Sequence, residues 1–136
     1  MNAASIEQII TESFTKVETA SNFGYTFFFY GADHKRPFAT LASSDNEYDR
    51  VSNLDRPGVF RLNVGVGKQT FQSLFGPNAV DVSGYDFTAL DTIMPHPDYA
   101  AQHFICVLNL SAETFETLRP MIAEAYDIAK KRQTKR

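Results

Sequence analysis

The sequence predicts an α+β domain: an antiparallel sheet of about five strands packed against helices at the N- and C-termini. Three observations carry that expectation. Apolar residues recur at helical spacing near both ends of the chain. Between them lie short runs rich in Phe and β-branched residues, two of them close enough to form a hairpin. Only one short helical pattern interrupts the strands, too little crossover for a parallel βαβ array. With 136 residues, 43% hydrophobic and 21% charged, including 12 Phe and 6 Tyr, the chain has the size and composition of a single domain with an aromatic core.

The first helix is expected over residues 6–16, where Ile6, Ile9, Ile10, Phe14 and Val17 share a face. Ser5 and Gln8 stand at the spacing of a capping box. In GYTFFFYG, Tyr25, Phe27 and Phe29 point to one side of a strand and Phe28 and Tyr30 to the other. Both sides are apolar, so this strand is central. PFATLAS, residues 37–43, is its hairpin partner across GADHKR. Residues 44–55 are polar and acidic, a loop or short turn.

Pro57 and Gly58 suit the two central positions of a type II turn, which launches the strand VFRLNV. Phe60, Leu62 and Val64 fall on one face of that strand, Arg61 and Asn63 on the other, so it is expected to be half buried. Phe71, Leu74 and Phe75 then mark a short helix ended by Gly76 and Pro77. Residues 76–102 are the least regular, with a helical turn around Phe87, Leu90 and Met94 stopped by Pro95 and Pro97. HFICVLN, residues 103–109, is the last strand. It enters a helix capped by Ser111, stapled by Leu110 on Phe115, and striped by Phe115, Leu118, Ile122, Ala125, Tyr126 and Ala129. Pro120 inside that pattern predicts a kink or two abutting helices.

Charge is unevenly divided. Residues 1–129 carry −8 and residues 130–136, KKRQTKR, carry +5. Nucleic-acid affinity comes from Lys and Arg displacing counterions from phosphates, so an acidic body disfavours that partner and leaves only the tail to contact it. The tail also suits the carbonyl end of a helix. No apolar run reaches the ~18 residues that span a bilayer. MNAASIEQII lacks the basic and apolar regions of a signal peptide, and the lone Cys106 fits a reducing compartment, so the expectation is a cytoplasmic protein with no membrane contact.

Most motifs fail on inspection. VGVGKQT suggests a phosphate loop, but a Walker A pattern needs Gly where Leu62 stands and Ser or Thr where Gln69 stands. No nucleophile elbow is present. His103 and Cys106 are three apart on a strand and point to opposite faces, which argues against a metal, and no cofactor is implied. One constellation survives: Asp55 and Arg56 before the turn, Arg61 and Asn63 on the polar strand face, and His96 with Tyr99 in MPHPDYA. A guanidinium fork, a directional amide and an imidazole together suit a small anionic ligand. The plainer alternative is that these groups tie down the long loops. A sheet with one open face also invites a second copy of the chain as its cover.

LDRPGVFRLNVGV, TFFFY, PFATL, YDFTALDTIMPHPDYA and CVLNLSAETFETLRPMIAEAYDIA together resemble a bacterial family catalogued as domain of unknown function 6194. That resemblance covers nearly the whole chain and implies no activity, substrate or catalytic residue. More distantly, the order of helix, strand with Arg61, Leu62 and Asn63, short helix, strand and long helix is similar to the MmcQ/YjbR family. This second resemblance implies an antiparallel sheet flanked by helices, and a DNA-binding label that rests on structural analogy. Three functions are therefore carried forward: a non-catalytic ligand-binding or protein-interaction module, a nucleic-acid binder of the MmcQ/YjbR type, and an enzyme using His96 as acid or base and Arg61 as electrostatic stabiliser.

Overall fold

The computed structural model describes residues 1–134; Lys135 and Arg136, the end of the basic tail, lie outside the described residues. The elements follow in the order α1 (Ala3–Ser13), β1 (Val17–Asn22), β2 (Tyr25–Tyr30), β3 (Ala39–Ala42), β4 (Arg61–Gly65), α2 (Lys68–Phe75), β5 (Met94–Pro95), β6 (Phe104–Leu108) and α3 (Ala112–Thr134). The six strands form one sheet in the order β1-β2-β3-β4-β6-β5, and every neighbouring pair is antiparallel. The α+β expectation holds, with six strands instead of five.

Strand alternation divides the side chains between two faces. Phe28, Tyr30, Leu41, Leu62, Val64, Ile105 and Val107 point to one, where Ile6 and Ile10 of α1 and Phe115, Leu118 and Ile122 of α3 meet them in a single apolar cluster. Phe14 stacks on Tyr126 with ring centroids 4.5 Å apart, and the Tyr126 hydroxyl donates to the Thr15 carbonyl at 2.7 Å, so the segment leaving α1 is held to α3. The opposite face is covered by the chain's own loops: Leu54, Val59 and Phe87 pack on Ala42, Met94, Cys106 and Leu108. This cover overturns the expected half-buried β4, since Arg61, Leu62, Asn63 and Val64 are all buried. The loops cover the β4, β6 and β5 part of that face, while Tyr25, Phe27 and Thr40 line a groove beside them.

Other departures are local. Helix α1 begins three residues early because Asn2 caps it: Asn2 Oδ1 accepts from the Ser5 amide at 2.8 Å, and Ser5 Oγ accepts from the Asn2 amide at 3.0 Å. Gln8, expected to cap, donates to Glu12 instead. Val17 is not helical. Lys16 turns the chain with φ 58°, and Val17 opens the edge strand β1, which the sequence reading lacked. β1 reaches β2 through Phe23 and Gly24, with φ 53° and 80°, the two-residue turn whose twist suits a hairpin. The helical turn expected near Phe87 is absent. A 3-10 turn stands at Val82–Gly84, and Met94–Pro95 instead pairs with β6 at the far sheet edge.

Several expectations stand as read. β2 and β3 form the hairpin pair. The Val59 amide donates to the Arg56 carbonyl at 3.2 Å across Pro57 and Gly58, whose φ is 72°. Ser111 Oγ caps α3 through the Thr114 amide at 3.1 Å. Of the two outcomes expected at Pro120, the break into two helices does not occur, since α3 is continuous through it. Among the described residues, no helix is long and apolar enough to cross a membrane.

Candidate functional site

β4 sends Arg61 and Asn63 to the face that the loops cover, and Arg61 is 0% exposed. A guanidinium so placed must find acceptors, because unpaired burial of a charge is very costly. It makes four hydrogen bonds: Nε to Asn63 Oδ1 at 3.0 Å, Nη1 to Ser52 Oγ at 2.9 Å and to Asp49 Oδ1 at 3.4 Å, and Nη2 to Asp49 Oδ2 at 2.5 Å. Asn63 Nδ2 donates onward to Thr40 Oγ1 at 2.9 Å, and the Tyr25 hydroxyl donates to Asp49 Oδ2. Three adjacent strands and one loop are thus joined in a single polar chain from Thr40 to Tyr25.

Burial opposes charge on Asp49, but the hydrogen bonds from Arg61 and Tyr25 and the guanidinium charge outweigh it and hold the carboxyl below its ordinary range. Burial likewise opposes charge on Arg61, and Asp49 outweighs it in turn, raising Arg61 above its usual value. Tyr25 is raised, by burial first and by Asp49 second. At Cys106, burial pushes the thiol up to about 12, with Arg61 opposing and Asp49 adding. The pair is therefore an ionised strap holding residues 49–52 against the sheet.

His96 follows β5 directly and is 4% exposed. Its Nδ1 accepts from the backbone amides of Asp98 at 3.0 Å and Tyr99 at 3.1 Å. Burial, then the charge of Arg61, lowers its pKa to about 3, against the pull of Asp49. The ring is therefore neutral, and with Nδ1 acting as acceptor the proton sits on Nε2. Tyr99, 55% exposed, sets its ring 5.0 Å from that of His96.

His96, Asn63 and Tyr99 line one groove of about 900 Å³. Thr40 and Asn63 supply polar groups to it, Tyr25, Phe27 and Phe104 supply aromatic ones, and Lys35 and Arg36 supply cations. The size is that of a small-molecule site. Arg61 does not line the groove; it lies behind Asn63 and Asp49, which do. The expected constellation thus divides: Asn63, His96 and Tyr99 meet, with Arg61 as their support.

Asp55 and Arg56 stand elsewhere. Asp55 accepts from the Asp45 amide at 3.0 Å, and Arg56 donates to the carbonyls of Asn53, Ser52 and Thr88 at 2.9, 3.1 and 3.2 Å, so both tie loops. The sequence reading missed Tyr25, Thr40, Asp49 and Ser52. A signal existed for one of them, since an Arg in a Phe-rich sheet demands a carboxylate and the neighbouring acidic loop offers Asp49. The phosphate-loop likeness at Gly67 also has its answer. The anion at that helix start is the Glu124 carboxylate, which accepts from the Gly67 amide and the Thr70 hydroxyl, both at 2.7 Å. Among the described residues, no three His, Cys, Asp or Glu side chains converge as a metal site.

Comparison with known proteins adds one decisive observation. The sequence pattern that defines a family described as a family of unknown function (DUF6194) matches residues 1–136. The chain belongs to the DUF6194 family. No curated protein and no solved structure matches it significantly. These comparisons give no support to the MmcQ/YjbR resemblance, so the groove carries what can be said of the function of this DUF6194 chain.

Proposed function

We propose that this chain is a single-domain, non-catalytic module that binds a small ligand in the groove over Thr40 and Asn63. The observation that carries the reading is the groove itself: about 900 Å³, with aromatic groups beside directional amide, hydroxyl and imidazole groups. Ligand sites combine apolar surface with a few fixed polar groups, and here Asn63 and Thr40 are held by the Arg61 network and His96 by two backbone amides. The buried Cys106 thiol fits the cytoplasmic placement expected from sequence.

The catalytic reading has less support. His96 Nδ1 is engaged by two amides, and a ring with a pKa of about 3 is a poor base near neutrality. Arg61 already has its counter-charge in Asp49. The nucleic-acid reading needs the basic tail, of which Lys131 pairs with Asp127 at 2.9 Å.

The test is a thermal-shift screen of small metabolites and short oligonucleotides, followed by amide NMR of each hit. A ligand of the groove raises the melting temperature and moves the Phe27, Thr40, Asn63 and Phe104 amides together. Hits confined to oligonucleotides, lost on deleting residues 130–136 and weakened steeply by salt, would contradict the reading.

A further inference from the structure

His96 presents the groove with a hydrogen-bond donor that the protein does not use. Its Nδ1 is taken by the Asp98 and Tyr99 amides, so the neutral ring carries its proton on Nε2. Among the described residues none accepts that proton, and the atom is not sealed away from the groove that His96 lines. His96 is 4% exposed and yet leaves one N–H without an acceptor among the described residues, as suits a donor that meets an acceptor from outside the chain. The two amides also fix the ring, so the donor is preorganised.

The charges around the groove indicate the rest of that molecule. Lys35 and Arg36 line it from the loop between β2 and β3, and among the described residues neither pairs with a carboxylate. Asp49, on the opposite side of the balance, is neutralised by Arg61, and Asp98 is the remaining acid of the lining. A cationic mouth on a chain of net charge −3 is a local reversal of sign. Tyr99 and Phe104, with ring centroids 6.3 Å apart, stand beside the His96 ring, and Tyr99 is 55% exposed, so they offer a flat body an aromatic wall next to the donor.

Resting on the groove as the binding site, we infer that its ligand is a flat aromatic anion bearing a separate hydrogen-bond acceptor. The acceptor takes the His96 Nε2–H, the ring rests on Phe104 and Tyr99, and the anionic group meets Lys35 and Arg36. Neither cation is part of the Arg61 network, so changing both leaves that support of the groove in place.

Three probes separate these contributions: 6-methoxy-2-naphthoate, its uncharged carboxamide, and 2-naphthoate, which lacks the methoxy acceptor. Amide and imidazole ¹⁵N NMR titrations follow binding to the wild type, the Lys35→Gln/Arg36→Gln variant and His96→Asn. The methoxy acid is expected to shift the His96 Nε2 signal and to bind at least about tenfold tighter than the carboxamide. The Lys35→Gln/Arg36→Gln variant removes that advantage, and His96→Asn removes the advantage over 2-naphthoate. Equal binding of acid and carboxamide, with the groove amides still shifting, overturns the anion assignment and spares the groove reading. Binding with an unmoved His96 signal overturns the role of the donor. Silence of the groove amides toward all three probes overturns the inference as a whole, while the wider screen decides the groove reading.

Discussion

Arg61 and Asp49 face each other at 2.5 Å between Nη2 and Oδ2, in the covered face of the sheet, with the guanidinium wholly buried. The residue that a sequence reader would select to hold an anion already holds one, supplied by the loop that covers it. Asp49 and Ser52 are thereby fixed over β4, and the groove beside them takes its shape from that attachment.

Removing one partner of the pair strands the other. Arg61→Met leaves Asp49 without its counter-charge, and Asp49→Asn leaves the guanidinium with an amide in place of a carboxylate. Each is expected to cost about 3–5 kcal/mol, the range for breaking a buried ion pair. Urea denaturation at neutral pH measures it. A loss below about 1 kcal/mol for either variant would place the pair among exposed salt bridges, in conflict with its burial.

Acid should destabilise the protein through His96 before it does so through Asp49. The folded pKa of His96, about 3, lies below its unfolded value of about 6.5, so between those values only the unfolded state binds the proton. Stability is complete above pH ~6.5 and falls as pH drops toward 3, by about 1.4 kcal/mol per pH unit once well inside that window. Asp49, lowered in the fold, adds a further loss below its unfolded value of about 3.9. The charges acting on His96 are Arg61, which lowers it, and Asp49, which raises it, so both must stay intact in the comparison. His96→Asn keeps an acceptor for the Asp98 and Tyr99 amides but does not titrate. Between pH 6.5 and 4.5 the wild type should lose roughly 2–3 kcal/mol more than this variant.

Asn109 occupies the left-handed region at φ 42° between β6 and α3. Its Oδ1 accepts from the Phe60 amide at 2.8 Å and its Nδ2 donates to the Gly58 carbonyl at 3.2 Å. Asn109→Ala loses both bonds and keeps the strained backbone, for an expected cost of about 2–3 kcal/mol. Asn109→Gly loses the bonds but relieves the backbone, and should cost measurably less in the same denaturation experiment.

Pro120 is exposed and lies inside α3, where it withholds an amide from the carbonyl four residues back. Pro120→Ala restores that donor and is expected to stabilise the protein by about 1–3 kcal/mol. An unchanged melting temperature would mean that the helix has already absorbed the cost through its packing.

Residues whose role depends on near neighbours were legible in the sequence. The apolar stripe of α3, the Ser111 cap and the Pro57-Gly58 turn each follow from spacings of a few positions, and the structure has them. β1 was not legible, because an exposed edge strand carries little apolar alternation and its hairpin turn uses Phe23-Gly24 instead of Asn-Gly. The site was half legible. Asn63 and His96 were identified from residue type, whereas Asp49, 12 positions before Arg61, becomes its partner only when the loop folds back over β4. For the same reason Arg61 read as solvent-facing: whether a strand face is covered is decided by segments remote in sequence.

The claim on which the account rests is that the Asp49–Arg61 pair is a coupled unit that straps the loop to the sheet. A double-mutant cycle with Asp49→Asn, Arg61→Met and the combined variant, followed by urea denaturation at pH 7, measures that coupling directly. The account predicts a coupling energy above about 2 kcal/mol, with the combined variant far less destabilised than the sum of its parts. Effects that add to within about 0.5 kcal/mol would show the two residues acting independently, and would contradict it.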